Sequence, residues 1–288
     1  MSKKLKKEPN FTPVRVSEAF KISGDVEFYD VDLNNDNYMF MCPYKIENLV
    51  KIDKWAKIFT NTAIEYFNTV LSYLHENDID SANTIFTNLN ECNMTRLGMS
   101  EKGCRGKGID MEASYLLESM NTFGFKMLDY VERIQDIKLF AKGIKDDKVS
   151  DAFTNIIKND LVKYTQEMCK KYLIPMTEAT NITVWDQTDK QWKKINVFLP
   201  EYEGKHILLI PKTCVTERSW YNAFNFGNKM VLEDMQSIYI DDKDKPSKKS
   251  FKDNLRSKKK ILNKEYIMEY LGETHKKELV SEFRKLVK

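Results

Sequence analysis

From Asp53 to His75 the residues Trp55, Ile58, Phe59, Ala63, Tyr66, Phe67, Val70, Leu71 and Leu74 recur at i, i+3 and i+4. Spacing of that kind, kept up for about six turns, describes an amphipathic helix with one continuous apolar face. No chain can leave such a face in water, so the rest of the fold has to supply a core against it. Asp53 suits the N-cap position. A shorter helix is expected over Asp80 to Leu89, where Ala82, Ile85, Phe86 and Leu89 share a side. At 288 residues and 42% hydrophobic content there is material for one large core. The aromatic stripe of the first helix belongs to it.

Elsewhere the pattern turns extended. Val26 to Leu33 and Tyr38 to Cys42 flank the turn cluster Asn34 to Asn37 and read as a hairpin, with Asp25, Asp30, Asp32 and Asp36 on its exposed face. Ile137 to Ile144 is an apolar, strand-like run, followed by a helix that ends near Tyr172 ahead of Pro175. Ile182 to Asp186 and Gln191 to Leu199 form a second hairpin about Gln187 to Lys190, with Trp185 and Trp192 expected near its opposite ends. His206 to Ile210 gives a further strand. Helices are expected at Ser219 to Phe224 and Met230 to Ile238, and a last one over Lys264 to Lys288. The fold class is mixed α/β (α+β): a helical N-terminal half, a central β-sheet with flanking helices, and a helical C-terminal extension. Residues 1–10 read as a basic tail, 11–240 as one domain with its sheet core within 134–215, and 241–288 as a lysine-rich linker and C-terminal helix.

Composition narrows the chemistry. Lys and Arg number 46 against 43 Asp and Glu, so a net charge of +3 points to no partner by itself and the distribution has to be read instead. The cysteines Cys42, Cys92, Cys104, Cys169 and Cys214 include no CxxC pair and read as reduced thiols in a cytoplasm. No apolar segment follows the basic N-terminus as a signal peptide would require, and no run is long enough to span a membrane. The three histidines, His75, His206 and His275, sit where structural or solvated roles suffice. If the chain is an enzyme, carboxylates and lysines are the candidates.

Those candidates converge on Asp136 to Gln166. The apolar run opens onto Asp146, Asp147 and Asp151, and carboxylates at the end of a buried strand are costly unless water, lysine or a metal ion compensates them. Asp147 and Asp151 would bind Mg²⁺, a hard cation that takes oxygen ligands, and Lys212 after HILLI would stabilise developing charge at a phosphodiester. Glu112, in an expected helix from Ile109 to Thr122, has a carboxylate to add. A strand-to-helix turn with Ser150 or Asp151 as N-cap explains the same aspartates without chemistry. The glycine-rich segment Gly98 to Gly108 carries Arg96, Lys102, Arg105 and Lys107, and the run from Asp241 to Lys260 carries Lys248, Lys249, Lys258 and Lys259. Bare amides and lysines suit a phosphate backbone; a mobile loop and a solvated linker are the plain alternatives.

The order of Glu112, Asp147 and Lys212 resembles the restriction-endonuclease-like nucleases with the PD-(D/E)XK pattern. The resemblance spans roughly Gly98 to Lys212. It departs from the pattern in three places: Asp146-Asp147 stands for Pro-Asp, Leu209-Ile210-Pro211 precedes Lys212 without an acid, and the gap between Asp147 and Lys212 is long. The string Gly143 to Asp151, with a later strand ending in Pro211-Lys212, is also similar to uncharacterised bacterial proteins of phage-defence loci. These resemblances imply a Mg²⁺-dependent nuclease acting on DNA, with RNA as the other candidate substrate, in prokaryotic antiphage defence or restriction. The alternative is a non-catalytic nucleic-acid-binding or scaffold subunit of a defence complex. Partners would be DNA, other subunits of such a complex or a second copy of the chain, and no membrane.

Overall fold

The computed structural model describes residues 12–35, 37–98, 127–237, 246–257 and 261–286. The expected long helix runs Lys54–His75, and Asp53 caps it by accepting the N–H groups of Trp55 at 2.8 Å and Ala56 at 3.0 Å. Ala56, Phe59, Ala63, Tyr66, Phe67, Val70 and Leu74 are buried along its inner face. The shorter helix that follows spans Ile79–Ile85. Tyr66 joins the two helices to the sheet: its hydroxyl donates to the Ile85 carbonyl, and its ring meets Trp185 edge-on at 4.8 Å. The indole N–H of Trp192 donates to the same carbonyl. Aromatic groups buried with their polar ends satisfied stabilise through area and hydrogen bond together.

The hairpin is formed by strands Thr177–Asp186 and Gln191–Leu199, antiparallel, with a register irregularity between Ala179 and Ile182. The side chain of Asp186 fixes its turn by accepting from the N–H groups of Thr188 and Asp189. Trp185 and Trp192 do not lie at opposite ends of it. They are cross-strand partners with rings 5.5 Å apart, because a four-residue turn pairs 186 with 191 and therefore 185 with 192.

The molecule is mixed α and β, with helices towards both ends. Among the described residues the β-structure consists of two-stranded antiparallel pairs, and two expected strands are replaced by other conformations. The run from Ile137 is not a strand: Ile137–Phe140 is a helical turn, entered through a 3-10 turn at Ile134–Asp136 and left through Gly143 at φ +80°. All four of its residues are buried, and a short run buried on every side has no alternation to tell strand from helix. Likewise Ile207 to Ile210 is extended and buried but joins no ladder beyond the pair Lys205–His206 with Glu201–Tyr202. Its backbone groups are satisfied from four separate segments. Ile207 N–H donates to Pro200, Leu208 N–H to Met94, Leu209 N–H to the Thr165 hydroxyl, and the Ile210 carbonyl accepts from Tyr29.

The expected N-terminal hairpin is also rearranged. Phe40–Met41 pairs with Val215–Thr216, not with residues 26–33. Asp32 is not simply an exposed-face residue: its carboxylate accepts from Val14, Asn34 and Asn35, which holds its pKa below the usual range against burial. Asp30 accepts from both the N–H and the hydroxyl of Ser17.

The last expected helix is broken into Lys264–Thr274 and Glu278–Lys285, with His275 in the left-handed conformation between them. Phe283 enters an aromatic cluster with Tyr221 at 4.7 Å, Trp220 at 4.9 Å and Phe226 at 5.2 Å. The helix Ala223–Phe226 continues through a π turn at Gly227–Val231, where a Cβ on Gly227 would stand 3.1 Å from Leu262 Cγ. A side chain there would make the Leu262 side chain give by a few tenths of an ångström. The lysine-rich stretch contains the helix Lys248–Ser257, seated by Leu255.

Candidate functional site

The aspartates of interest lie on the helix Asp146–Ile156, which begins earlier than a Ser150 or Asp151 N-cap would allow. Asp146 and Asp147 occupy its first turn, where the helix dipole favours carboxylates. Asp146 is fully engaged in structure: one oxygen accepts from Lys138 Nζ at 2.6 Å, the other from the Ser219 N–H at 3.2 Å. Ser150 turns inward and accepts the Met41 N–H.

Asp147 and Asp151 are different. One turn apart, they share a face, and Asp147 Oδ1 is buried without a hydrogen-bond partner among the described residues. Burial first, and then the nearby negative charges of Glu91 and Asp147, together push the Asp151 carboxyl up to about 7. Asn155, a turn further on, donates to the Asn90 carbonyl and to the Asp151 carbonyl, tying the helix to the loop that carries Glu91. Glu91 Oε1 lies where any side chain at position 98 would come within 3.2 Å of it, so Gly98 leaves it room.

Beyond them stands Lys158, the first residue of the helix Lys158–Tyr172 and only 9% exposed. It makes no hydrogen bond or ion pair among the described residues. The thiol of Cys92, fully buried and raised by that burial, feels both its neighbours: Lys158 pulls its pKa down and Asp151 pushes it up. Neither Glu91 nor Lys158 stood out in the sequence. The available signal was the stripe Asp147, Asp151, Lys158, spaced four and seven residues apart.

Lys212 is placed elsewhere. It begins a 3-10 turn at Lys212–Cys214, its N–H donates to the Glu27 carbonyl, and its Nζ pairs with Asp25 at 2.6 Å, pulling that carboxyl below its ordinary value. Neither it nor Lys158 figures among the charges acting on Asp151. Arg96 adopts a left-handed backbone conformation, its carbonyl accepts from Asn37, and its Nε is buried without a hydrogen-bond partner among the described residues. Lys248 is committed to Glu233 and the Asn228 carbonyl, whereas Lys249 is exposed. Glu112, Lys102, Arg105, Lys107, Lys258 and Lys259 lie outside the described residues.

Among the described residues no three histidine, cysteine or acidic side chains converge closely enough to hold a metal ion between them. Two small recesses, one beside Lys138, Asp146 and Ser219 and one beside Glu47, Thr60 and Arg133, each hold about one water molecule. Neither encloses a small-molecule substrate. No helix among the described residues is long and apolar enough to cross a membrane.

Comparison with curated proteins and with solved structures yields no match. The model of a domain of unknown function, DUF8370, matches residues 20–222, well over half of the chain, and the protein belongs to that family.

Proposed function

We propose that the protein is a Mg²⁺-dependent nuclease acting on DNA, with Asp147 and Asp151 as its cation ligands and prokaryotic antiphage defence or restriction as its setting. One observation supports the reading above the others: the buried, unpartnered Asp147 Oδ1 beside a carboxyl that its surroundings push up to about 7. An acceptor left without a donor costs about 1–3 kcal/mol, and like charges one turn apart add to that cost. Such an arrangement belongs where a ligand or a reaction makes use of it.

The donor set fits a cation that is only partly dehydrated. Two carboxylates are offered, and Mg²⁺ takes one or two, keeping waters and substrate phosphates in its other positions. When bound, such an ion polarises a phosphodiester and lowers the pKa of a coordinated water. Asp147 and Asp151 would hold it, while Asn155 anchors the helix to the Glu91 loop. Lys212, engaged by Asp25, is not assigned the charge-stabilising role.

The commitment of Lys212 to Asp25 favours a second reading, a non-catalytic nucleic-acid-binding or scaffold subunit of a defence complex. A cleavage assay with and without Mg²⁺, on single- and double-stranded DNA and on RNA, separates the two. Wild type should cleave at least one of these and Asp147→Ala should not. Equal cleavage by both proteins removes the site. Salt-dependent binding without cleavage by wild type selects the second reading.

A further inference from the structure

We propose that Phe224 and the helix Lys248–Ser257 form a platform for single-stranded nucleic acid, the Phe224 ring stacking on a base while Lys249, Lys252 and Arg256 meet the phosphates beside it. The assignment rests on the nucleic-acid reading above, which the nuclease and its non-catalytic alternative share. Both elements lie outside the residues that match the family. Phe224 is 70% exposed, although it belongs to the short helix Ala223–Phe226 and stands two residues before Phe226, which is fully buried. The backbone beneath the ring is fixed. Asn222 caps the helix by accepting the Asn225 N–H at 2.9 Å, Asn225 donates to the Trp220 carbonyl at 2.6 Å, and Asn228 donates to the carbonyl of Phe224 itself. Phe226 anchors the same turn against Phe283. A ring presented outward from a fixed backbone has little freedom left to lose on binding.

The charge around the ring selects the partner. Lys252 Nζ stands over the Phe224 ring, 5.9 Å from its centroid. Lys249, Lys252 and Arg256, three and seven residues apart, share one flank of their helix. Buried Leu255 seats that helix, and Lys248 ties it down through Glu233 and the Asn228 carbonyl. The helix carries one acid, Asp253, whose pair with Arg256 at 3.5 Å is exposed on both sides and contributes little. An exposed aromatic by itself would suit any apolar partner. Beside cations on a fixed helix it matches a polyanion that also offers flat π-faces, which is what a single strand of nucleic acid presents: every base can stack, and the backbone meets the lysines. In a duplex those faces are already covered by neighbouring bases, so the platform favours single strands.

The test uses the full chain and a short fluorescent oligodeoxythymidylate in EDTA, so that no metal ion at the carboxylates contributes. Wild type should bind the single strand more tightly than a duplex of the same length, with an affinity that falls as salt rises. Phe224→Ala should melt as wild type does, because the ring is exposed, and bind the single strand about 5- to 100-fold more weakly. Phe224→Trp should keep the binding, and Phe224→Leu, which has no π-face, should not. Replacing Lys249 and Lys252 together by Ala should reduce the slope of log affinity against log salt by about 1.4. Affinity equal to wild type in Phe224→Ala or Phe224→Leu, or no preference for single strand over duplex, overturns the platform and leaves the nucleic-acid reading standing. Wild type that binds phosphatidylserine vesicles and not the oligonucleotide assigns the surface to a membrane and overturns it as well. If wild type binds no strand of DNA or RNA, the nucleic-acid reading itself falls and takes the platform with it.

Discussion

Arg284→Met tests how deeply the C-terminal helices are built into the core. Arg284 lies outside the residues that match the family, and its guanidinium, 9% exposed, donates to Asp136 at 2.9 Å and to Glu132 at 2.7 Å. Asp136 is completely buried. It also accepts from the Tyr221 hydroxyl at 2.6 Å and from the N–H groups of Glu132 and Arg133. Burial raises its pKa, and Arg284 is the largest influence pulling it back down. Removing one member of a buried pair costs about 3–5 kcal/mol, and the three remaining donors place this variant near 3. For a chain of this size that is a loss of about 6–12 °C in Tm. The sign with pH follows from the carboxyl. Without Arg284 its folded pKa moves further above the unfolded value of about 3.9, so the folded state prefers it protonated. Its contribution is then complete below the unfolded pKa and lost as pH rises through the folded one. The Tm deficit should be largest above neutrality and shrink towards pH 5 in calorimetry or circular-dichroism melts. A variant with wild-type Tm at pH 8, or one whose deficit grows on acidification, would refute the reasoning.

Two further outcomes are expected. Asp151 has a folded pKa of about 7, above its unfolded value, so its contribution is present in acid and lost as pH rises through 7. Asp151→Asn should therefore match wild type at pH 5 and melt several degrees higher at pH 8, and Mg²⁺ should raise the pH 8 melting temperature of wild type alone. Identical pH profiles for the two proteins would remove the electrostatic description of the site. Lys212→Ala, which breaks an exposed pair with Asp25, should leave both Tm and any Mg²⁺-dependent cleavage unchanged; a lost activity there would return Lys212 to the site.

Much of the local structure was legible residue by residue. The i, i+3, i+4 face and Asp53 cap of the long helix, the stop before Pro175 and the hairpin about Gln187 to Lys190 each depend on neighbours within one or two turns. Asp147 and Asp151 could be picked out because carboxylates beside an apolar run need compensation, though the run proved helical. Lys212 could not be placed in the same way. Its partner, Asp25, is 187 residues distant, and a lysine just past an apolar stretch carries no mark of which acid it will meet.

The sequence by itself determined the elements whose free energy is local: helices with a period, caps at their starts and turns fixed by Asx side chains. The tertiary structure alone decided which buried backbone and which charge found which partner. Ile207 to Ile210 draws its hydrogen bonds from several segments, Asp136 is paired with Arg284 at the far end of the chain, and Lys212 is drawn to Asp25. The physical reason is range. Propensity and capping act between residues a few positions apart, whereas desolvation and pairing depend on what the whole fold packs around a group.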